Sequence, residues 1–241
     1  MKKTVICLSF VMLLLCCLSC SSDSENGFSY PRNKIWAHRV NTPEEANTKL
    51  KKFDGIEVDL VYDTFTGEVF IGHDIDRNMM ELTFRQYIQQ INNPRKAYFW
   101  LDVKNLYDNP SAICDTIMQI ANLYGFDDKF FVESWDGGAL KIAKNKGIKT
   151  SLWVDNLYEK EQDKTKWFEK ISRIVNDVQP DALSAEFRMC SILVEYFPEK
   201  NIHLWQTPAE FNDENVEITR EICRNPHVKV LLVDYDKPIS Y

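Results

Sequence analysis

Two carboxylates stand two residues apart inside an apolar segment in the first third of the chain. Glu57 and Asp59 belong to the run Gly-Ile-Glu-Val-Asp-Leu, and residues two apart in an extended strand project from the same face. Burying such a pair is costly unless a positive partner compensates the charge. A hard divalent cation is a natural partner, because Mg²⁺ and Ca²⁺ bind carboxylate oxygens. Asp102, in a later apolar segment, can supply a third carboxylate, so the pattern predicts a cation site.

Two of the four histidines close apolar segments in the same part of the chain. His38 ends the run Lys-Ile-Trp-Ala-His, and His73 ends Glu-Val-Phe-Ile-Gly-His. If carboxylates bind the cation, both imidazoles stay available for proton transfer near neutral pH. Two structural interpretations remain open. The carboxylates can pair with Arg39 and Lys104 in an ion network, and either histidine can be an ordinary hydrogen-bonded residue.

Other polar and aromatic residues near the ends of apolar segments have structural interpretations of their own. Glu133 and Asp234 can cap the helices that follow them. Trp205 is of a type found more often in a core than in a ligand platform. His203 and His227 have no neighbouring pattern that sets them apart, and we expect both at the surface.

Eight apolar segments alternate with stretches of helical spacing, which predicts an α/β fold. The number eight favours a closed (β/α)8 TIM barrel, whose active site lies at the C-terminal ends of the strands. An open doubly wound sheet is the alternative, but no glycine-rich phosphate loop follows the first segment. Residues 68–73 form an additional arm after the second strand. The predicted strands are 34–38, 55–60, 97–103, 130–133, 150–154, 182–185, 202–205 and 228–233.

Length and charge limit the kind of protein. A chain of 241 residues with 44% hydrophobic and 27% charged residues suits one sizeable globular domain. The formal net charge of -7 makes nucleic acid an unsuitable partner. It is compatible with a small anionic substrate that local positive charge or a bound cation holds.

The first residues have the pattern of a secretory signal. Lys2 and Lys3 precede an apolar run over 4–18, and Cys20 follows Ser19. This resembles a bacterial lipoprotein signal, with Cys20 as the lipidated residue; a plain cleaved signal peptide is the alternative. We therefore expect a signal over 1–19, a flexible tether over 20–31 and the barrel over 32–241. The implied location is the bacterial cell envelope, on the periplasmic face or cell surface, with the lipid anchor as the only membrane contact.

An ordered set of short stretches resembles one group of enzymes. The similarity is to the glycerophosphodiester phosphodiesterases, within the phospholipase C-like phosphodiesterase barrel superfamily, with some similarity to the sphingomyelinase D branch. The stretches span nearly the whole predicted barrel. They are WAHR (36–39), GIEVDL (55–60), TGEVFIGHD (66–74), LDVK (101–104), VESWD (132–136), HLW (203–205) and LLVDYDKP (231–238).

The resemblance implies three groups of site residues. Glu57, Asp59 and Asp102 would hold one divalent cation, Mg²⁺ or Ca²⁺. His38 and His73 would act as general base and general acid, in an order that the resemblance leaves open. Further roles fall to Arg39 and Lys104, which would neutralise phosphate oxygens, and to Glu133 and Trp205, which would border the pocket.

The resemblance predicts metal-dependent hydrolysis of phosphodiesters, with glycerophosphodiesters as the first choice of substrate. One alternative is a phospholipase D-like or sphingomyelinase D-like enzyme acting on phospholipid headgroups. The other is a non-catalytic ligand-binding lipoprotein on the same barrel, because one fold can serve several functions.

Overall fold

The computed structural model of the protein describes residues 28–74, 81–156, 163–206, 211–237 and 239–241. The expected signal over 1–19, Cys20 and most of the expected tether lie outside the described residues. In the described part of the chain, no helix combines the length and the apolar character that crossing a membrane requires.

The described strands close into a barrel, which confirms the predicted (β/α)8 class. Eight strands run parallel, and the sheet closes where the first strand pairs with both the second and the last. One more strand, β3, pairs antiparallel with β2. The strands are β1 Ile35–Ala37, β2 Gly55–Asp63, β3 Glu68–Ile71, β4 Tyr98–Val103, β5 Phe130–Ser134, β6 Lys149–Trp153, β7 Ala182–Glu186, β8 Asn201–Gln206 and β9 Val228–Val233.

Helices connect the parallel strands and cover the barrel. The seven in the described residues are α1 Pro43–Lys49, α2 Phe84–Gln89, α3 Pro110–Tyr124, α4 Gly137–Asn145, α5 Lys164–Val178, α6 Cys190–Tyr196 and α7 Asp213–Arg224. Their ends follow local chemistry. Asp136 accepts a hydrogen bond from the Ala139 amide at the start of α4, and α3 ends at Gly125, whose φ of 73° is left-handed.

β2 extends beyond the predicted Leu60 to Asp63, and the extension forms a hairpin with β3. Leu60 pairs with Ile71 in this hairpin, and the Gly72 amide donates to the carbonyl oxygen of Asp59, 3.1 Å away. The arm is therefore hydrogen-bonded to the strand that carries the two carboxylates. This arrangement places His73 at the C-terminal end of the barrel.

Large buried rings fill the barrel interior up to the level of the site cleft. Trp36, Trp100 and Phe131 form one buried cluster with Val230 and Leu232. Gly55 provides the room for this packing, because a Cβ atom there would lie 2.2 Å from Cδ2 of Trp36. The site residues thus stand above a closed aromatic floor.

His203 is buried in this floor, so the expectation that it lies at the surface is wrong. Only 1% of the residue is exposed. Its Nε2 lies 2.9 Å from the Tyr30 hydroxyl, and its Nδ1 lies 2.9 Å from the Ser151 hydroxyl. Burial lowers the pKa of His203 to about 3. A neutral imidazole with a partner for each nitrogen is compatible with an apolar interior.

The described end of the expected tether packs against the barrel. Phe28 is 8% exposed and belongs to the interior cluster, while Tyr30 makes the hydrogen bond to His203 described above. These rings cover the N-terminal end of the barrel interior. Phe28 and Tyr30, at the end of the expected tether, therefore pack with the barrel.

Candidate active site

Three carboxylates converge at the C-terminal end of neighbouring strands. Glu57 and Asp59 project from β2, and Asp102 of β4 lies directly opposite Asp59 in the parallel register. Glu57, Asp59 and Asp102 each offer an oxygen within 4.8 Å of the others. The spacing of two along β2 and the adjacency of β4 therefore bring the sequence-predicted metal ligands to one point.

Burial makes this cluster electrostatically unfavourable by itself. Burial raises the pKa of Glu57 well above its ordinary value, and the carboxylates of Asp59 and Asp102 add to that rise. Burial also raises the pKa of Asp102, against the opposing charge of Lys104. Burial acts in the same direction on Asp59, but Lys104 and the Asn41 amide outweigh it and the pKa falls below its usual range.

Lys104 lies within the carboxylate cluster. Its ammonium group is 2.6 Å from Oδ1 of Asp59 and also pairs with Asp102. Burial by itself would lower the pKa of Lys104, but the two carboxylates outweigh it and hold that pKa above its ordinary value. The ion network considered from the sequence thus forms in part. Arg39 contacts the cluster through its backbone: its amide donates to Oε2 of Glu57 at 2.7 Å.

The donor set suits a divalent cation. Three carboxylates carry more negative charge than the Lys104 ammonium compensates, and after burial, which is the larger cause, the neighbouring carboxylates raise the pKa of Glu57 further. Hard oxygen donors in a small group are what Mg²⁺ and Ca²⁺ bind. The residues present therefore fit one such ion, which Glu57, Asp59 and Asp102 would hold.

Asn41 positions one of the carboxylates, and the sequence interpretation missed it. Its amide nitrogen donates to Oδ2 of Asp59 at 2.7 Å, and its carbonyl oxygen accepts from the Asp59 amide at 3.0 Å. The preceding Arg39 has a φ of 53°, which is uncommon outside glycine. This turn after β1 directs both the Arg39 amide and the Asn41 side chain toward β2.

His38 is oriented by a carboxylate from the last strand's end. Its Nδ1 lies 2.9 Å from Oδ1 of Asp234, so an N–H at that position donates to the carboxylate. The other nitrogen, Nε2, lies 3.9 Å from Oε2 of Glu57. Asp234 pairs with this imidazole in the structure, a role that differs from the helix cap considered from the sequence.

His73 reaches the same cleft from the β2–β3 arm. Its side chain is 61% exposed, and its Nδ1 lies 3.1 Å from Oδ1 of the adjacent Asp74. His38, by contrast, is 11% exposed. The two imidazoles therefore approach the carboxylate cluster from a buried side and from a solvent side.

Glu133 lies below the cluster, inside the barrel. It accepts hydrogen bonds from Nε1 of Trp100 and, at 2.6 Å, from the Ser184 hydroxyl. Burial, reinforced by Asp102, raises the pKa of Glu133 to about 8. The helix-cap interpretation of Glu133 is wrong, because Asp136 caps α4.

These side chains line one cleft of about 160 Å³ at the C-terminal mouth of the barrel. Two aromatic walls flank it: the Trp153 and Trp205 rings lie nearly parallel, at 11°, with centroids 6.4 Å apart. Trp205 was expected here, whereas Trp153 had no distinguishing pattern. The lining residues are His38, Arg39, Glu57, Asp59, His73, Trp100, Asp102, Lys104, Glu133, Trp153, Trp205 and Leu232.

Comparison with solved structures identifies proteins that share this fold. No protein-family model and no curated protein matches the sequence. Among solved structures, a candidate glycerophosphodiester phosphodiesterase from Galdieria sulphuraria is 14% identical with a TM-score of 0.63, over 86% of this chain and 96% of that one. An Oleispira antarctica phosphodiesterase in complex with its product sn-glycerol-3-phosphate is 13% identical with a TM-score of 0.61, over 86% and 94%.

A protein with a different name also shares this architecture. A glycerol uptake operon antiterminator-related protein from Thermotoga maritima is 12% identical with a TM-score of 0.54, over 86% of this chain and 97% of that one. Resemblance at this level of identity concerns the backbone alone. The chain adopts the (β/α)8 barrel fold that the structures of glycerophosphodiester phosphodiesterases have.

Proposed function

We propose that the protein hydrolyses phosphodiesters in a metal-dependent reaction, with glycerophosphodiesters as substrates. The observation that carries this proposal is the joint geometry at the barrel mouth. Two buried carboxylates and the partly buried carboxylate of Asp102 lie within 4.8 Å of one another, and His38 and His73 line the same small cleft. The complex of the Oleispira antarctica phosphodiesterase with sn-glycerol-3-phosphate supports a substrate of this class.

Glu57, Asp59 and Asp102 would hold one divalent cation, Mg²⁺ or Ca²⁺. A cation held there would polarise a phosphoryl oxygen and stabilise developing negative charge. Lys104 carries three N–H donors, and its ammonium faces the same cleft. Lys104 and Arg39 would neutralise the remaining phosphate oxygens, a task that suits a point charge and a guanidinium group respectively.

Two proton transfers complete the reaction, and the two histidines provide them. Water attacks phosphorus while one imidazole accepts a proton from it; if a hydroxyl of the substrate attacks instead, a cyclic phosphodiester forms, and water then opens it with a second pair of proton transfers. The bond between phosphorus and the leaving oxygen breaks, and the other imidazole donates a proton to that oxygen. Asp234 at Nδ1 of His38 leaves Nε2 as the nitrogen available to the reacting groups.

The experiment that tests this proposal is an assay of glycerophosphocholine hydrolysis. We expect turnover with added Mg²⁺ or Ca²⁺, loss of turnover with a chelator, and a fall of about 10² to 10⁴ in kcat for His38→Ala. His227→Ala is the matched control, because His227 lies outside the cleft. Turnover that neither the chelator nor His38→Ala reduces contradicts the mechanism.

The same assay separates the alternatives. Release of choline from sphingomyelin, without hydrolysis of glycerophosphocholine, indicates the phospholipase D-like reaction. Binding of a phosphodiester without turnover indicates a ligand-binding protein on the same barrel.

We also propose that the mature protein is a lipoprotein of the bacterial envelope, anchored through Cys20. The support is the sequence pattern over residues 1–20. Mass spectrometry of the mature N-terminus would detect the acylated cysteine, and Cys20→Ala should release the protein from the membrane fraction. An unmodified terminus elsewhere indicates the plain signal peptide.

A further inference from the structure

A second concave region lies beside the catalytic cleft, between α4 and α5. It has a volume of about 730 Å³, within the range of roughly 300–1,000 Å³ that small-molecule sites have. Neither the proposed metal ligands nor the two site histidines line it. We call this region the side groove, and its lining includes Trp135, Gly138, Leu152, Trp153, Ile171 and Ile174.

Most of the accessible wall of the side groove is apolar, and the charged residues that also line it are Asp136, Asp155, Lys170, Arg173 and Asp177. Leu152 of β6 and Ile171 of α5 are almost fully buried, and Ile174 extends the wall one helical turn further along α5. Two of the lining carboxylates are paired with lysines: Lys170 lies 3.3 Å from Oδ1 of Asp155, and Lys141 lies 2.5 Å from Oδ1 of Asp177. The groove therefore favours an apolar ligand over an ionic one.

Two exposed aromatic rings stand at this side of the mouth. Trp135, which lines the groove, is 55% exposed, and Tyr107 beside it is 43% exposed. Their ring centroids lie 5.5 Å apart. Leaving two large rings in water is unfavourable, and such rings provide a contact surface for hydrocarbon.

Trp153 borders both the side groove and the catalytic cleft. A ligand with a polar end in the cleft can therefore continue past one side chain into the groove. The cleft is small and polar, and the groove is larger and apolar. This division of chemistry fits a single molecule with a phosphodiester head and one hydrocarbon chain.

We propose that the side groove binds the acyl chain of a single-chain phospholipid while the phosphodiester of that lipid occupies the catalytic cleft. This rests on the proposed function and narrows it, since it names amphiphilic phosphodiesters as a preferred substrate class. The occupant is a hydrocarbon chain, and water-soluble glycerophosphodiesters would use the cleft alone.

Gly138 offers a way to fill the groove without touching the cleft. A Cβ atom at Gly138 would lie 3.3 Å from Oδ1 of Asp136 and within 4 Å of no other described side chain. Gly138→Phe should occupy the groove, and Gly138→Ala is the matched control at the same position. Ile174→Gln makes the opposite wall polar, so it tests the groove independently if the phenylalanine disturbs folding.

The experiment compares choline release from glycerophosphocholine with that from hexanoyl, octanoyl and decanoyl lysophosphatidylcholine, each below its micelle concentration. With each methylene that the groove buries, kcat/KM should rise up to about fourfold. In Gly138→Phe and Ile174→Gln this dependence on chain length should fall below about twofold per methylene, while glycerophosphocholine turnover stays unchanged. Gly138→Ala should behave as the wild type.

The outcomes separate this inference from the proposed function. If glycerophosphocholine is hydrolysed but kcat/KM does not rise with chain length, the proposal that the side groove binds the acyl chain is overturned. The proposed phosphodiesterase activity then still stands. An equal gain in wild type and both groove variants also overturns it, because the chain then binds elsewhere.

If no phosphodiester is hydrolysed, the proposed function fails. Calorimetric measurement of decanoyl lysophosphatidylcholine binding then tests, independently of activity, whether the side groove binds the acyl chain. Binding that Gly138→Phe weakens at least tenfold supports the groove. Binding that neither groove variant affects overturns it.

Discussion

The Asp234 carboxylate lies 2.9 Å from Nδ1 of His38 and joins the first strand's end to the last strand's end. The two residues are 196 positions apart in the chain and meet because β1 pairs with β9 where the barrel closes. The carboxylate fixes which nitrogen of the imidazole carries the proton. A histidine so oriented is suited to exchange protons through Nε2, which lies on the side of Glu57.

Asp234→Asn should lower kcat by about tenfold to a hundredfold, because an amide can present its N–H to Nδ1 and favour the wrong tautomer of His38. KM for glycerophosphocholine should change little. Steady-state kinetics measure both. Asp236→Asn is a nearby control, since Asp236 pairs with Lys49 outside the cleft; an equal loss in both variants would contradict a specific role for Asp234.

Asp59→Asn should abolish the stabilisation that a divalent cation gives to the wild type. Ligand binding to the folded state raises its stability by RT ln(1 + [L]/Kd), about 2.7 kcal/mol at a cation concentration of 100 Kd. A thermal melt with and without Mg²⁺ or Ca²⁺ reads this out without any assay of activity. Asp128→Asn is the control, because Asp128 forms an ion pair with Lys129 and is not among the proposed metal ligands. This variant should retain the stabilisation by the cation. A cation response that survives Asp59→Asn argues against the ligand set.

The fold and the carboxylate cluster were predictable because their signals are local. Strand periodicity alone puts Glu57 and Asp59 on one face, and the alternation of strands and helices predicts the barrel. Asp102 follows from the neighbouring strand. These inferences need only residues close in sequence and the general rule that sites lie at the C-terminal ends of barrel strands.

The remaining site features depend on contacts between distant parts of the chain. Asp234 meets His38 only through barrel closure, and Trp153 faces Trp205 only because β6 and β8 stand on either side of β7. His203 is buried because Tyr30, 173 positions earlier, supplies a hydroxyl to it. Tyr30 itself belongs to a segment whose polar neighbours predicted a tether. No local pattern carries this information.

Burial of His203 predicts a loss of stability in acid. The pKa of His203 is about 3 in the folded protein, against an ordinary value of 6.5. Below pH 6.5 the unfolded chain binds a proton that the folded protein excludes, so the stability present above pH 6.5 falls as the pH drops toward 3. The slope from this residue is about 1.4 kcal/mol per pH unit.

This contribution can be isolated by urea unfolding of the wild type and His203→Gln at several pH values between 7 and 4. The carboxylates titrate in both proteins, so their contribution cancels in the difference. His203→Gln should be less stable at pH 7 and lose less stability on acidification. His227→Gln, at a partly exposed site, should follow the wild type. Parallel pH profiles for wild type and His203→Gln would show that His203 does not titrate in this way.

Gly55→Ala should destabilise the protein by about 1–3 kcal/mol, the usual range for overpacking a core. Its Cβ would lie 2.2 Å from the Trp36 ring, which is held by the aromatic floor of the barrel. Denaturant unfolding measures the change. Gly72→Ala is the control, since its Cβ would meet nothing nearer than the Asp74 carbonyl oxygen at 3.9 Å. Equal stabilities for the two variants would contradict the close packing at Gly55.

The leaving group distinguishes the roles of His38 and His73. An alcohol such as choline needs a proton as its oxygen leaves phosphorus, whereas p-nitrophenolate leaves without one. The variant that lacks the general acid should therefore recover most of its activity on a p-nitrophenyl phosphodiester, and the variant that lacks the general base should not. His73 is 61% exposed and reaches the cleft from the solvent side, and we expect the alcohol to depart toward solvent. We therefore expect recovery in His73→Ala and a persistent loss of about 10² or more in His38→Ala. Recovery in His38→Ala alone would reverse the two roles, and recovery in neither would mean that protonation of the leaving oxygen does not limit the reaction.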